Sequence, residues 1–295
     1  MNIFQRGFLY LARHNLFDRM NDETYLKICY KIHTGKKLNL NNPKSFNEKI
    51  QWLKLYDRNP LYTTLADKST AKKYVADIIG EEYIIPTIAV WNDVDDIDFD
   101  SLPDQFVLKC THDSGGLVIC KDHTSFDVEA AKDKLRHFYN RNFYSLHREW
   151  PYKNITPRII AEKYMQNGND QELKDYKFFC FNGVPKLLYI SEGLSDHSTA
   201  KISFADMDYK IAPFKRSDFK PFEKLPDKPI NFEKMKELAK ILSKDISFIR
   251  VDFYEINKKI YFGEFTFSPC AGFVPFEPSK YDNIVGEWLN LPIKK

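Results

Sequence analysis

The chain has 295 residues, 43% hydrophobic and 29% charged, which suits a soluble globular protein with one large core or two smaller ones. Its 44 basic and 41 acidic residues leave a net charge of only +3, which excludes the broad positive field that nucleic-acid binding relies on; no nucleic-acid partner is expected. Five scattered cysteines (Cys29, Cys110, Cys120, Cys180 and Cys270), odd in number and without CxxC spacing, exclude a disulfide framework and a zinc site.

The cysteines read as reduced core thiols of a cytoplasmic protein. No apolar run is long enough to span a bilayer, and Arg6 and Arg13 interrupt the stretch where a signal-peptide core would lie.

Residues 1–34 read as helices. Phe4, Phe8, Leu11 and Ala12 form one stripe, with Arg6, Arg13 and Arg19 elsewhere, so the first helix either packs on the main body or lies on a membrane surface. Pro43 marks a turn, and Ser45 followed by Glu48 predicts a capping box for a helix carrying Ile50, Trp52, Leu53 and Tyr56. Asp67-Lys68 opens another helix that runs through Val75 and Ile79 to a stop at Gly80.

A short extended piece at Tyr83–Pro86 precedes Val90-Trp91 and an acidic loop, 92–100. The apolar run Phe106–Cys110 predicts a buried strand, the turn 111–116 holds Ser114-Gly115-Gly116, and Leu117–Cys120 predicts the returning strand. Residues 127–147 look helical, and 158–165 read as a strand running into a loop. Strands at 176–181 and 184–190 flank the turn dipeptide Asn182-Gly183. After a polar stretch, 191–199, come a strand near 201–204 and a helix at 232–244. Phe248 to Phe273 reads as two strands about a polar turn at 255–259. Their alternation puts Arg250 and Asp252 on one strand and Glu264 and Thr266 on the other, so that pairing brings both carboxylates to one face. The mixture of antiparallel strands and interspersed helices predicts an α+β fold.

Lys109 stands just before the glycine turn. Backbone N–H groups of such a turn close over phosphate oxygens, and the ammonium adds a point charge for the same oxygens. The turn is neither a Walker loop nor a GxGxxG fingerprint. Two carboxylates on a rigid hairpin beside an arginine suit Mg²⁺ carrying a nucleotide phosphate.

The order of these features (a DK helix start, a strand lysine with a glycine turn, EKYM, DYK, RxD and ExT) resembles the ATP-grasp superfamily, which includes D-alanine–D-alanine ligase and the glutamate ligases. More narrowly, NPKSFNEK at 42–49, Asp67-Lys68, DYKFFCFNG at 175–183 and RVDFY at 250–254 resemble its TupA-like branch of teichuronopeptide biosynthesis, over about residues 38–290. The resemblance implies an ATP-grasp fold with ATP held between two antiparallel sheets. It implies an N-terminal helical segment (1–60) and an ATP-grasp domain (61–295), the latter divided into a lid-type subdomain (about 103–165) and a metal-bearing core (about 166–290).

It further implies nucleotide contacts from Lys68, Lys109, Ser114, Gly115 and Gly116, and an adenine-bordering linker at Glu162, Lys163 and Met165. Glu172 is the counterpart of the ribose-binding acid, at a longer spacing than usual. Lys177 falls where relatives place an arginine facing the phosphates. Asp252 and Glu264 are the metal carboxylates, joined by Thr266 where the family's usual residue is Asn, and Arg250 steadies the reacting carboxyl group. The usual Pro-Gly is Pro269-Cys270 here.

The activity implied is a cytoplasmic ATP- and Mg²⁺-dependent carboxylate–amine ligase working through an acylphosphate. Its substrates would be an amino acid or amino alcohol and a uronic acid of a surface polysaccharide or its precursor, with peripheral contact at the inner membrane face. Two alternatives stand beside it: a glycosyltransferase using Asp206-Met207-Asp208 as a DxD motif, and a non-catalytic nucleotide-binding partner. His112, Asp113, Asp196 and His197 are further polar residues placed near the expected site.

Overall fold

The computed structural model describes residues 3–168, 173–193 and 200–294. Glu172, Asp196 and His197 lie outside the described residues, as do the side chains of Phe4 and Arg13. The elements in chain order are α1 (Ile3–Arg13), α2 (Asp22–Thr34), α3 (Phe46–Tyr56), α4 (Leu61–Ala66), α5 (Lys68–Ile79), β1 (Thr87–Trp91), β2 (Phe106–Cys110), β3 (Leu117–Cys120), α6 (Val128–Tyr139), α7 (Phe143–His147) and β4 (Ile159–Lys163). They continue with β5 (Asp175–Phe181), β6 (Val184–Glu192), β7 (Lys201–Ala205), α8 (Phe232–Leu242), β8 (Phe248–Ile256), β9 (Lys259–Thr266) and α9 (Lys280–Glu287).

Local chemistry explains most of the boundaries. The Ser45 side chain accepts from the Glu48 N–H while Glu48 accepts from the Ser45 N–H, so the expected capping box starts α3. Asp67 caps α5 by accepting from Ser69 N at 2.8 Å, and Gly80 ends it. Asn182 and Gly183 both have positive φ (49° and 79°), the turn that matches the twist of β5 and β6. The turn between β8 and β9 narrows to Asn257-Lys258, again with positive φ at both residues (50° and 62°).

The strands form two antiparallel sheets, of order β1-β4-β2-β3 and β7-β6-β5-β8-β9. In the first sheet, Phe106, Leu108, Cys110, Ile159 and Ala161 face a core closed by Ala131 and Leu135 of α6. Alternation then turns Lys109, Ile160 and Glu162 to the other face. Its edge strand β1 comes from upstream of residue 103.

In the second sheet, Phe178, Cys180, Ile249, Val251 and Phe253 pack with Met235 and Leu238 of α8. The opposite face is divided. Phe179, Phe181 and Phe248 pack under Phe46 and Ile50 of α3 and Val285 and Leu289 near α9. Farther along the same strands, that face carries Asp175, Lys177, Arg250 and Asp252. One sheet face is thus apolar at one end, where helices cover it, and charged at the other.

Candidate active site

The charged end is built by cross-strand pairing. Lys177 stands opposite Asp252 in the β5–β8 register, and its ammonium lies 3.0 Å from Asp175 and 3.5 Å from Asp252. Arg250, two residues from Asp252 and so on the same face, binds both its oxygens, Nε to Oδ1 at 2.7 Å and Nη2 to Oδ2 at 2.6 Å. Its Nη2 also reaches Glu264 Oε1 at 3.1 Å. The β8–β9 register slips by one residue between Val251 and Phe253, opposite Gly263-Glu264, and a Cβ at Gly263 would stand 3.3 Å from the Asp252 carbonyl. Alternation from the Arg250–Thr266 pair keeps Glu264 on the face of Arg250 and Asp252.

Asp252 is buried, and burial pushes its carboxyl above the usual aspartate range while Arg250 and Lys177 pull it down. Burial alone would lower Lys177; Asp175 and Asp252 outweigh it and raise its pKa. Glu264, whose side chain is 43% exposed, is held below the usual glutamate range, because Lys68, Arg250, Lys177 and Lys109 together exceed its desolvation.

Lys68 and Lys109, which are not on the second sheet, are among the charges that lower Glu264. Lys109, on the inward face of β2, is 2.5 Å from Glu162 of β4 and is also raised by Glu264 and Asp175. Lys68 opens α5; its backbone N–H donates to the Thr111 carbonyl at 3.1 Å and its ammonium to the Asp113 carbonyl. The helix start is therefore tied to the glycine turn, and Arg158 adds a 2.6 Å bond to the capping Asp67.

Within the turn, Ser114 and Gly115 are exposed, whereas Gly116 is buried and its N–H donates to Asp113 Oδ1 at 3.0 Å. A Cβ at Gly115 would come within 2.9 Å of the Phe138 ring, so packing as well as its φ of 113° requires glycine there. Thr111 Oγ1, His112 Nδ1 and Asp113 Oδ2 are buried without a hydrogen-bond partner. His112 bonds the Tyr139 carbonyl through Nε2 at 3.1 Å, and burial holds it below the usual histidine range, as a neutral ring.

Glu162 sits under the cleft, salt-bridged to both Lys72 and Lys109. Burial would raise it, but the two ammonium groups outweigh this and bring it to about 2. The Lys163 N–H donates to the Pro86 carbonyl at 3.0 Å, while its side chain is exposed and Met165 half-buried. Thr266 Oγ1 is 3.4 Å from Glu264 Oε1.

Lys72 and Asp175 were not among the expected site residues. Lys72 lies one helical turn after Lys68, and Asp175 two residues before Lys177 on the same strand face; both spacings are visible in the sequence. Asp206 Oδ1 accepts from the N–H groups of Asp208 and Lys210 at 2.9 and 2.8 Å, so half of the DxD motif closes its own turn.

A divalent cation suits this donor set. Asp252, Glu264 and Thr266 offer oxygen donors alone, although Arg250 now occupies oxygens of both carboxylates and would have to share them with a cation. Among the described residues no group of three or more His, Cys, Asp and Glu forms a self-sufficient metal site. Magnesium typically takes one or two carboxylates and fills its sphere with phosphate oxygens and water.

The family described as TupA-like ATPgrasp matches residues 48–290. No curated protein matches the chain. Among solved structures, it is similar to D-alanine–D-alanine ligase from Helicobacter pylori, at 16% identity over 77% of this chain and 61% of that one, with a TM-score of 0.43. D-cycloserine synthetase DcsG is matched at 16% identity over 78% of this chain and 72% of that one, TM-score 0.40. D-alanine–D-alanine ligase from Bacillus anthracis, complexed with ATP, is matched at 14% identity over 68% and 53%, TM-score 0.37. The chain thus spans less than two thirds of the length of either D-alanine–D-alanine ligase.

Proposed function

Because the chain belongs to the TupA-like ATP-grasp family, we propose that it is an ATP-dependent carboxylate–amine ligase. The observation that supports this reading is the ion-paired cluster of Lys177, Arg250, Asp252 and Glu264 on one sheet face, with Lys68 and Lys109 among the charges that lower Glu264. ATP is a substrate. An oxygen of the acid's carboxylate bonds to the γ-phosphorus as the bond to ADP breaks. The amine nitrogen then bonds to the carbonyl carbon, phosphate leaves, and the amine's surplus proton passes to solvent.

Catalysis of such a transfer is mainly positioning and charge neutralisation. Lys68, Lys109 and Lys177 offset phosphate charge, with Ser114, Gly115 and Gly116 beside them. Glu162 holds Lys109 in place. Lys163 and Met165 border the adenine; the Lys163 N–H is bound to the Pro86 carbonyl. Glu172 takes the ribose hydroxyls. Asp252 and Glu264, with Thr266, hold Mg²⁺, which supplies charge neutralisation at the phosphates. Arg250 steadies the reacting carboxyl group and the oxyanion that follows.

The division of the chain at residue 60, and of the ATP-grasp domain into a lid (about 103–165) and a core (about 166–290), belongs to the same reading. So does the substrate pair, a uronic acid of a surface polysaccharide and an amino acid or amino alcohol, acting in the cytoplasm.

Mg-ATP at a hundred times its Kd raises folding stability by about 2.7 kcal/mol, and a UDP-sugar does not. A screen of uronic acids against amines gives phosphate release that requires both partners. Asp252→Ala and Glu264→Ala each lower it at least about a hundredfold. Stabilisation by the UDP-sugar instead supports a glycosyltransferase, and release independent of acid and amine removes the ligase assignment.

A further inference from the structure

Beyond the nucleotide contacts, the cleft has an end that the proposed mechanism leaves unused. Cys270 is exposed, whereas the other four cysteines are buried. It occupies left-handed backbone (φ 51°), followed by Ala271 (φ 54°), an unfavourable conformation for two successive residues with a Cβ. The surroundings enforce it. Gln51 Nε2 donates to the Ala271 and Gly272 carbonyls at 3.0 and 2.8 Å, and Lys54 Nζ to the Ala271 carbonyl at 2.6 Å.

Two guanidinium groups act on the thiol so placed. The surrounding protein raises the thiol pKa, and the charges of Arg216 and Arg250 oppose the rise. Arg216 comes from the segment between β7 and α8. Its Nε and Nη2 are bound by Asp218, and its guanidinium lies 5.2 Å from the Phe219 ring centroid. That leaves Nη1, which is 3.4 Å from the Tyr189 hydroxyl. The Tyr189 ring has Lys177 on it as well, and both cations lie 6.0 Å from its centroid. An arginine whose fork is oriented by a carboxylate and an aromatic ring is preorganised to present its remaining edge to an anion.

We infer that the acid substrate carries a second anionic group: its reacting carboxyl lies against Arg250, and the second group is bound by Arg216 Nη1 with the Tyr189 hydroxyl. This rests on the ligase reading for the role of Arg250, but the binding it describes needs neither ATP nor turnover. Arg216 and Tyr189 are here specificity-determining residues, and Cys270 is the exposed thiol that follows the Glu264–Thr266 end of β9.

Cys270 also provides the readout. Its alkylation by iodoacetamide is followed by mass spectrometry, with Cys270→Ser as the blank. Glutarate, adipate and pimelate are compared with pentanoate, hexanoate and heptanoate, which pair them carbon for carbon. At least one diacid half-protects the thiol at a concentration about tenfold lower than its monoacid, the gain expected of one charge-assisted contact. Arg216→Met brings the ratio to about one, and Arg216→Lys gives a value between. Tyr189→Phe lowers the ratio while keeping the ring. Circular dichroism identifies the folded variants, and if Arg216→Met is unfolded, Arg216→Lys and Tyr189→Phe decide. Equal protection by diacids and monoacids, no protection, or an unchanged ratio in the folded variants overturns the inference. If the ratio holds while Mg-ATP fails to stabilise the protein, the ligase reading falls and the two-anion site stands.

Discussion

Glu162 is the residue on which the basic wall of the cleft depends. Its carboxylate is salt-bridged to both Lys72 and Lys109. Removing one partner of a buried ionic cluster strands the others, so Glu162→Gln lowers stability by about 3 kcal/mol in urea unfolding. The sign with pH follows from the depressed pKa, about 2 in the folded chain against an ordinary 4.5. The contribution is complete above pH 4.5 and is lost as pH falls toward 2. The gap between wild type and Glu162→Gln therefore closes over that window, and a gap independent of pH contradicts the assignment. Lys109 was legible in the sequence because it stands just before the glycine turn, and Lys72 was not. Their sharing of one carboxylate was not legible either, because Lys72 and Glu162 are far apart in sequence and meet only across packed elements.

Elements defined by local rules were the most legible. The capping box, the Asp67 cap, the Asn182-Gly183 turn and the β8–β9 hairpin depend on side chains within a few positions of each other. α4 and α9 were missed: α4 has no side-chain cap bond in its six residues, and α9 follows a proline-rich stretch without a capping side chain. The seat of α9 is specific all the same. A Cβ on Gly286 would lie 2.8 Å from the Phe46 nitrogen and closer still to the Lys44 carbonyl, both backbone atoms at the start of α3. Alanine is the better helix former by about 1 kcal/mol. Gly286→Ala nevertheless destabilises by more than about 2 kcal/mol, because two backbones must separate above the Phe46–Phe248 core. An unchanged melting temperature for this variant would show that α9 packs otherwise.

At the scale of the molecule, α6 packs on one face of the first sheet and α8 on one face of the second. The N-terminal helices stand at one side. Phe8 stacks on Phe17 at 4.5 Å and Ala12 is buried, while Tyr10 and Leu16 are more than 60% exposed, at 63% and 62%. An apolar cavity of about 1050 Å³ lies there, lined by Phe8, Leu11, Phe17, Ile28 and Ile32 and rimmed by Lys27, Lys31 and Lys37. No helix among the described residues is long and apolar enough to cross a membrane. We propose peripheral contact instead: the full chain co-sediments with anionic liposomes and a chain without residues 1–13 does so at least about tenfold less. Equal sedimentation of the two removes α1 from that role.

The amino-acid order alone determined the antiparallel hairpins, the helix starts and the pairing of Asp252 with Glu264 on one face. Each of these follows from alternation, capping or turn chemistry over a short span. Only the tertiary structure decided that Glu162 belongs to two lysines, that Gly116 gives its N–H to Asp113, and that Arg216 stands beside Tyr189. Those contacts depend on how separate elements pack, and a charge's partner in a low-dielectric cleft is set by distance through space, which the spacing of residues along a chain does not encode.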